Sequence, residues 1–373
     1  MKKTLLTICL TWMCFSLSAQ KIIDLSGKWS FSIDRQDNGE KEKWFSHTLN
    51  DCINLPGSMP EKLKGDEVTA KTQWTGSLYD SSYYYNPYME KYRKEGNIKF
   101  PFFLTPDKHY VGAAWYQKEV NIPADWKGER ILLFLERPHI ETTVWVNGQK
   151  TGMQNSLCVP HQYDITRYVR PGKCTITIRV DNRIKEINVG PDSHSITDQT
   201  QGNWNGIVGR ICLQTTPKTY FDDIQIYPEP EQKLARVKVV IKGTGTAKVK
   251  LSAESFNTDK KHIVPAIQQE IKLNKGVTET EMVLPMGNDM LLWDEFHPAL
   301  YKLKAEVTNG KKTEIKEIQF GMRRFEIKGK WFYVNGRKTQ LRGTVENCDF
   351  PLTGYAPMDV ESWERVFRIC RSY

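Results

Sequence analysis

The feature that most narrows what this chain can become is a long succession of short β-type segments, each closed by a Gly, Pro or Asn turn. Trp115-Tyr116-Gln117-Lys118-Glu119-Val120 runs into Ile122-Pro123, and Ile131-Leu132-Leu133-Phe134-Leu135-Glu136 follows. Thr142-Thr143-Val144-Trp145-Val146 closes on Asn147-Gly148, and the series continues through Tyr163-Asp164-Ile165-Thr166 and Cys174-Thr175-Ile176-Thr177-Ile178-Arg179-Val180. Asn-Gly is the turn that suits a tight hairpin, and the spacing leaves no room for crossover helices. The segments therefore pair antiparallel, as a sandwich or jelly roll. Upstream, Trp29, Phe31 and Ile33 alternate with polar residues, the mark of a strand with one buried face.

From about residue 57 to 110 the periodicity fades, and Trp74, Tyr79, Tyr83, Tyr84, Tyr85, Tyr88 and Tyr92 crowd a stretch rich in turn formers. Flat amphipathic rings suit a recognition surface, and they equally suit a packed excursion over the sandwich. Whether this insertion would touch a substrate or a second subunit stays open.

A second alternating series begins near Lys218. Ile224-Gln225-Ile226, Val237-Lys238-Val239, Val249-Lys250-Leu251, Ile271-Lys272-Leu273 and Tyr301-Lys302-Leu303-Lys304-Ala305-Glu306-Val307 read as strands, the last returned by Asn309-Gly310. The pattern predicts an immunoglobulin-like module without a Cys-Trp-Cys core. The end changes character. Trp331-Phe332-Tyr333-Val334, the turn Asn335-Gly336 and a return strand over 338–344 lead to a polar loop with Glu346, Asn347 and Asp349. Asp359 then caps a helix that places Trp363, Val366, Phe367 and Cys370 on one face expected to be buried. One strand and one helix cannot bury their own apolar faces, and a (β/α) barrel takes about 250 residues, so this is the opening of such a domain.

With 373 residues, 39% of them hydrophobic and 26% charged, the chain is globular material for two or three domains. Lys2 and Lys3, an apolar stretch from Leu5 to Phe15 and Ser16-Leu17-Ser18-Ala19 read as a cleaved signal, and nothing later approaches a membrane span. A periplasmic or secreted protein is expected. Of 8 cysteines, Cys9 and Cys14 leave with the signal. Cys174, Cys212 and Cys370 sit in apolar patterns, where reduced and buried is the expectation. The net charge of +9 is interspersed with acids and forms no basic block with interleaved aromatics, so nucleic acid is not an expected partner. His194 and His297 have no partner at metal-ligand spacing, and no cofactor is called for.

Four places together resemble glycoside hydrolase family 2, the β-galactosidases, β-glucuronidases and β-mannosidases. Trp115-Tyr116-Gln117 with Ile122-Pro123 and Val144-Trp145-Val146-Asn147-Gly148 resemble its sugar-binding jelly roll. Trp204-Asn205-Gly206-Ile207-Val208-Gly209-Arg210-Ile211 is similar to a segment near the end of that domain. Leu292-Trp293, Pro298-Ala299-Leu300-Tyr301 and Phe320-Gly321-Met322-Arg323 resemble the last strands of its immunoglobulin-like domain. Phe332 to Gly336 with Leu341-Arg342-Gly343 resembles the way into its barrel. The division expected is a signal over 1–19, a jelly roll over 20–217 with an insertion at about 57–110, an immunoglobulin-like sandwich over 218–321, and the first β/α unit of an incomplete TIM barrel over 322–373.

The resemblance implies a retaining hydrolase of O-glycosidic bonds. Two glutamates would stand ~5 to 5.5 Å apart, one protonating the leaving oxygen and one attacking the anomeric carbon. In the family both lie beyond the first barrel strand, so no residue here is assigned as catalytic and this piece alone is expected to be inactive. Asp198, Asn203 and Trp204 from the jelly roll, with Glu346, Asn347 and Asp349 at the barrel mouth, are the candidate substrate contacts. Asn347 stands where better-known members carry a His, and Thr200 where they carry an acid. The partner expected is an oligosaccharide or polysaccharide side chain, and the full-length protein leaves room for a homo-oligomer. The competing reading is a non-catalytic carbohydrate-binding β-sandwich protein.

Overall fold

The computed structural model describes residues 21–69, 71–75, 82–98, 106–185, 202–343, 345, 350 and 352–373. They form two compact units, residues 21–215 with 343–373, and residues 216–342. The first unit begins with β1 (Ile22–Asp24), β2 (Gly27–Asp34), β3 (Asp51–Leu55) and β4 (Gly57–Ser58), then a ribbon of β5 (Asp66–Glu67) with β6 (Lys108–His109). It continues through β7 (Ala113–Ile122), β8 (Arg130–His139), β9 (Glu141–Val146), β10 (Gln149–Asn155), β11 (His161–Asp164), β12 (Gly172–Asp181) and β13 (Gly206–Thr216). One sheet runs β10-β9-β12-β7-β2-β3, all described neighbours antiparallel, and the other runs β1-β13-β8-β11 with β4 beside β13.

The register explains the core. β12 pairs Ile176 with Lys118 and Ile178 with Tyr116, and β2 pairs Phe31 with Tyr116, so the odd and even rows of side chains separate cleanly. Trp29, Phe31, Tyr116, Val144, Ile176 and Ile178 point inward against Leu133, Leu135, Tyr163, Ile207 and Leu213 of the second sheet. The opposite face of the six-stranded sheet is buried too. Trp115 and Trp145 stand there 4.9 Å apart, and the segment around residues 44–49 covers them, with Phe45 stacked on Trp145 at 5.2 Å and Trp44 tilted on Trp115 at 6.0 Å. Asp34 secures this lid, taking the Trp115 indole N–H at 2.9 Å and the backbone N–H groups of Asn38 and Gly39. This is why all six residues of β9 are buried.

In the insertion, α1 (Ser82–Tyr85) and a following 3-10 turn over Pro87–Tyr92 bury Tyr83 and leave Tyr84, Tyr85 and Tyr88 exposed. At the end of the unit, α2 (Val360–Arg371) starts at Asp359, whose carboxylate accepts from Ser362 N at 2.7 Å, as expected of the cap. The expected burial of its apolar face is incomplete. Trp363 is half-buried against Phe350, whereas Val366, Phe367 and Cys370 are exposed. Cys174 and Cys212 are buried as free thiols, and burial pushes the Cys174 thiol up to about 11.

The second unit is built on an unusually long ribbon. Its strands are β14 (Tyr220–Glu229), β15 (Leu234–Ser255), β16 (Ile263–Pro285), β17 (Tyr301–Asn309) and β18 (Lys312–Phe320). The two strands expected around Val237 and Val249 are one continuous strand. β15 pairs with β14 through 234–242 and with β17 through 248–255, and a register shift at Gly243/Gly245 lets it pass from one side of the module to the other. Gly243 is required there, since a Cβ would lie 2.5 Å from Thr219 Oγ1. Alternation along β17 buries Tyr301, Leu303, Ala305 and Val307. The same unit carries β19 (Phe325–Lys328), β20 (Trp331–Val334) and β21 (Arg337–Thr339), a small antiparallel sheet turned at Asn335 and Gly336, both at positive φ. The return strand is shorter than expected, and the stretch read as the barrel opening is divided: its hairpin belongs to residues 216–342 and its helix to the jelly-roll unit.

The contrast between a closed core and an open helix is measurable. Trp29→Ala, at 1% exposure, is expected to cost about 3–5 kcal/mol in urea unfolding of the jelly-roll unit, and Phe367→Ala, at 65% exposure, less than about 0.5 kcal/mol in this chain. Comparable losses from both would show that the helix face is covered.

Candidate functional site

Gly202-Asn203-Trp204-Asn205-Gly206 is the stretch through which the chain returns to the sandwich, and its backbone leaves regular pairing there. Side-chain amides replace the missing ladder. Asn182, one residue beyond β12, donates to Tyr110 O at 2.9 Å and Asn203 O at 3.0 Å and accepts from Gly112 N at 2.8 Å. Asn203 reciprocates, donating to Asn182 O at 3.0 Å and to Thr75 Oγ1 at 2.8 Å, while its Oδ1 lies 3.1 Å from His139 Nε2. Asn205 donates to Gly112 O and Val180 O and accepts from the Tyr116 hydroxyl at 2.8 Å. All three amides are buried. Gly206 lets the returning strand press against β4, because a Cβ there would sit 2.5 Å from Gly57 O.

These bonds fix Trp204, which is 3% exposed and lies between two rings. His139 stacks on it at 4.6 Å and Tyr355 tilts against it at 5.4 Å. Tyr355 belongs to the loop before α2, and that loop is tied to the 56–62 segment. Ser58 Oγ donates to Thr353 O, and the Tyr355 hydroxyl donates to Glu61 Oε2 at 2.9 Å. Burial, reinforced by the Glu61 carboxylate, pushes the Tyr355 phenol well above its usual range, so it acts as a neutral donor. Gly354 closes the joint, its Cβ position 3.3 Å from Trp204 Cβ. Beside this junction is an open cleft of about 450 Å³ whose lining includes Pro56, Glu136, Arg210, Tyr355, Asp359 and Ser362. Glu136 accepts from Arg210 N at 2.6 Å.

A charged cluster stands at the other side of Asn182. Asp181, fully buried, faces Arg179 at 2.9 Å, Arg183 at 2.6 Å and Lys185 at 2.9 Å, while Asp37 pairs with Arg179 and Arg183 and Glu141 with Arg179 and Lys185. Three carboxylates balance three cations. Burial alone would raise the Asp181 pKa, but hydrogen bonds from Arg183 and Lys185 outweigh it and hold the carboxyl well below its usual range.

Of the residues singled out from the sequence, Asp198, Glu346, Asn347, Asp349 and His194 lie outside the described residues. Asn203 and Trp204 are brought together, but inside the protein: the amide is engaged at both ends and the indole is covered by His139 and Tyr355. His297 is an exposed turn residue 3.4 Å from Asp294. His139, Asn182 and Tyr355 were not foreseen. Asp181-Asn182-Arg183, a charged and amidic triplet directly ending an apolar strand, was the one local signal available. No group of three His, Cys, Asp or Glu among the described residues is arranged to hold a metal, and no described helix is long and apolar enough to cross a membrane.

The Asp181 cluster sets a pH dependence. A carboxyl whose folded pKa is depressed contributes stability above its unfolded value near 4, and that contribution is lost as pH falls from there toward the folded value. Urea midpoints of the parent should therefore decline below about pH 5. Asp181→Asn should cost about 3–5 kcal/mol at pH 7, leaving buried cations uncompensated, and should flatten the acid limb. An equal acid slope in both proteins would remove Asp181 as its source.

A family model described as the sugar binding domain of glycosyl hydrolases family 2 matches residues 22–217, and one described as glycosyl hydrolases family 2 matches residues 219–323. A beta-glucuronidase of Paenibacillus borealis is 24% identical over 355 residues, 90% of this chain and 51% of that protein. Beta-glucuronidase of Homo sapiens is 23% identical over 89% of this chain and 49% of its own length, and the beta-galactosidase large subunit of Latilactobacillus sakei 23% over 91% and 52%. The chain thus spans about half the length of the curated relatives it matches. The solved beta-glucuronidase of Ruminococcus gnavus shares the fold, with a TM-score of 0.60 at 19% identity over 87% of this chain and 49% of that one. With its jelly roll and its second sandwich both matched in order, the chain belongs to glycoside hydrolase family 2.

Proposed function

We propose that this chain is the N-terminal part of an exported glycosidase that cleaves O-glycosidic bonds with retention of configuration. In this reading the jelly roll frames one side of the sugar pocket, and the acid/base and nucleophile glutamates stand on barrel strands that follow Tyr373. One observation carries it: the junction at Trp204. Asp198 lies five residues before Asn203, and Asp349 directly before Phe350. Gly202 comes within 3.5 Å of Gly354 O across that junction, counted from its Cβ position. The junction brings the 202–206 and 353–355 segments together, and both sets of candidate substrate contacts are close to these segments in sequence. Asn203 and Trp204 then act beneath the pocket, holding its wall, while Asp198, Glu346, Asn347 and Asp349 are the groups left to meet sugar hydroxyls.

The exposed stripe of α2 supports the same reading, because a first barrel helix keeps its apolar face for neighbouring helices and strands. Cleaving an acetal needs a proton donor at the leaving oxygen and a carboxylate at carbon, ~5 to 5.5 Å apart. A sandwich whose buried polar groups already bond one another supplies neither, and a barrel does.

The test is to express the gene product read past Tyr373 beside the 373-residue chain, and to assay both on aryl β-glucuronide, β-galactoside and β-mannoside. The longer product is expected to cleave at least one with retention, followed by NMR of the anomeric proton, and the shorter one none. Tight oligosaccharide binding by the shorter chain with no turnover by the longer would favour the non-catalytic carbohydrate-binding reading instead. Mass spectrometry of the exported protein should find residues 1–19 removed.

A further inference from the structure

We propose that a cleft in the unit of residues 216–342 binds a small organic carboxylate with a flat apolar body. The cleft holds about 360 Å³, the size of a small-ligand site, and its lining includes Trp293, Arg323, Phe325, Val334, Arg337 and Leu341.

Its construction starts at Gly321. A Cβ there would lie 2.9 Å from Trp293 Cβ, so only glycine lets the indole pack flat on this backbone. Trp293 N donates to Met322 O at 2.9 Å and keeps the indole in register with the 320–323 strand end. The Arg323 guanidinium lies over the indole ring, 4.5 Å from its centre. Stacking holds the guanidinium plane in place and leaves its edge N–H groups free to donate. The neighbouring Arg324 is paired with both Glu231 and Glu326, yet no carboxylate among the described residues pairs with Arg323. Arg337 is arranged alike, 4.8 Å over the Phe296 ring, with one nitrogen 3.2 Å from Glu295. Among the described residues Arg337 faces the carboxylates of Glu295 and Asp294, which leaves Arg323 as the guanidinium of the lining with no carboxylate partner.

These features select the ligand. A planar carboxylate matches the fork of donors that Arg323 presents. Phe325 at 51% exposure and Leu341 at 60% offer apolar walls that a flat hydrocarbon body would cover. A neutral sugar fits poorly, since Arg323 already lies over the Trp293 ring on which a pyranose would stack. Inorganic anions would leave the walls wet.

The probe is 2-naphthoate, with neutral 2-naphthamide as its isostere, titrated calorimetrically into the 373-residue chain. Naphthoate should bind about tenfold or more tightly than naphthamide, the worth of one charge-assisted pair. Arg323→Ala should remove that difference, Arg323→Lys should restore only part of it because an ammonium lacks the fork, and Glu295→Gln should tighten binding severalfold by releasing Arg337. The proposal is overturned if the two probes bind alike, if neither binds, or if Arg323→Ala with parental melting keeps the preference. Should Arg323→Ala unfold, Glu295→Gln decides: tighter binding supports the site, and unchanged or weaker binding sinks it.

Discussion

The structure of the jelly-roll unit depends on how the backbone at the edge of a sheet satisfies its hydrogen bonds when the sheet runs out. An N–H or C=O buried without a partner costs about 1–3 kcal/mol, and several such groups cluster where β12 ends and the chain comes back at residue 202. Asn182, Asn203 and Asn205 solve this with amides, each offering a donor and an acceptor about as far apart as those of a peptide unit. Asn182 and Asn203 bond one another's backbone reciprocally, as paired strand residues would. The approach of the returning chain is thereby set, and with it the plane of Trp204. The loop at Thr353–Tyr355 can then dock only where that ring and Glu61 meet it.

The charged cluster one residue earlier obeys the same rule in a costlier form. Isolated ions would not survive at the burial of Asp181 and Arg179, and even a single pair is a doubtful gain once desolvation is counted. Here Arg179 meets three carboxylates, Arg183 and Lys185 meet two each, and Asp181 meets three cations, so every charge in the cluster is compensated more than once. Asp181-Asn182-Arg183 therefore serves both arrangements: its charges bind the outgoing chain to Asp37 and Glu141, and its amide binds the returning chain. The two ends of the 186–201 stretch are held by one strand terminus.

Much of this fold was legible because period-two patterning and turn chemistry are local. Trp29-x-Phe31-x-Ile33, the Asn147-Gly148 and Asn335-Gly336 turns and the Asp359 cap were read from a few adjacent residues and appear as expected. What escaped was set by distant partners. Alternation showed that Trp115 and Trp145 share a face, but not that residues 44–49 return to cover it. Val237 and Val249 read as separate strands because Gly243-Thr244-Gly245 looks like a turn, whereas β16 pairs alongside and keeps the chain extended through a bulge. Asn203 was noticed for its position in a family motif, and its partners His139 and Thr75 lie far away in the sequence. No local pattern distinguishes an amide that meets a ligand from one that replaces a strand.

The helix at the end inverts this relation. A 12-residue helix is marginal in water, and α2 persists through local devices: its Asp359 cap, the Trp363 indole N–H donated to Pro357 O at 3.0 Å, and the edge contact of Phe350 with Trp363. None of these requires Val366, Phe367 or Cys370, which lie exposed along one side. In the sandwiches nearly every large apolar residue at a patterned position is buried, so patterning and packing agree. In α2 the sequence specifies an amphipathic helix whose apolar side the described structure leaves unused. An exposed stripe of that kind adds nothing to the folding of the described residues, and it is this mismatch between pattern and packing that the barrel reading proposed above would account for. The same reasoning separates the two ends of the loop at Tyr355. One end is finished, with its hydroxyl and carbonyl bonded to Glu61 and Ser58, and the other leads into a helix whose apolar side the described residues leave exposed.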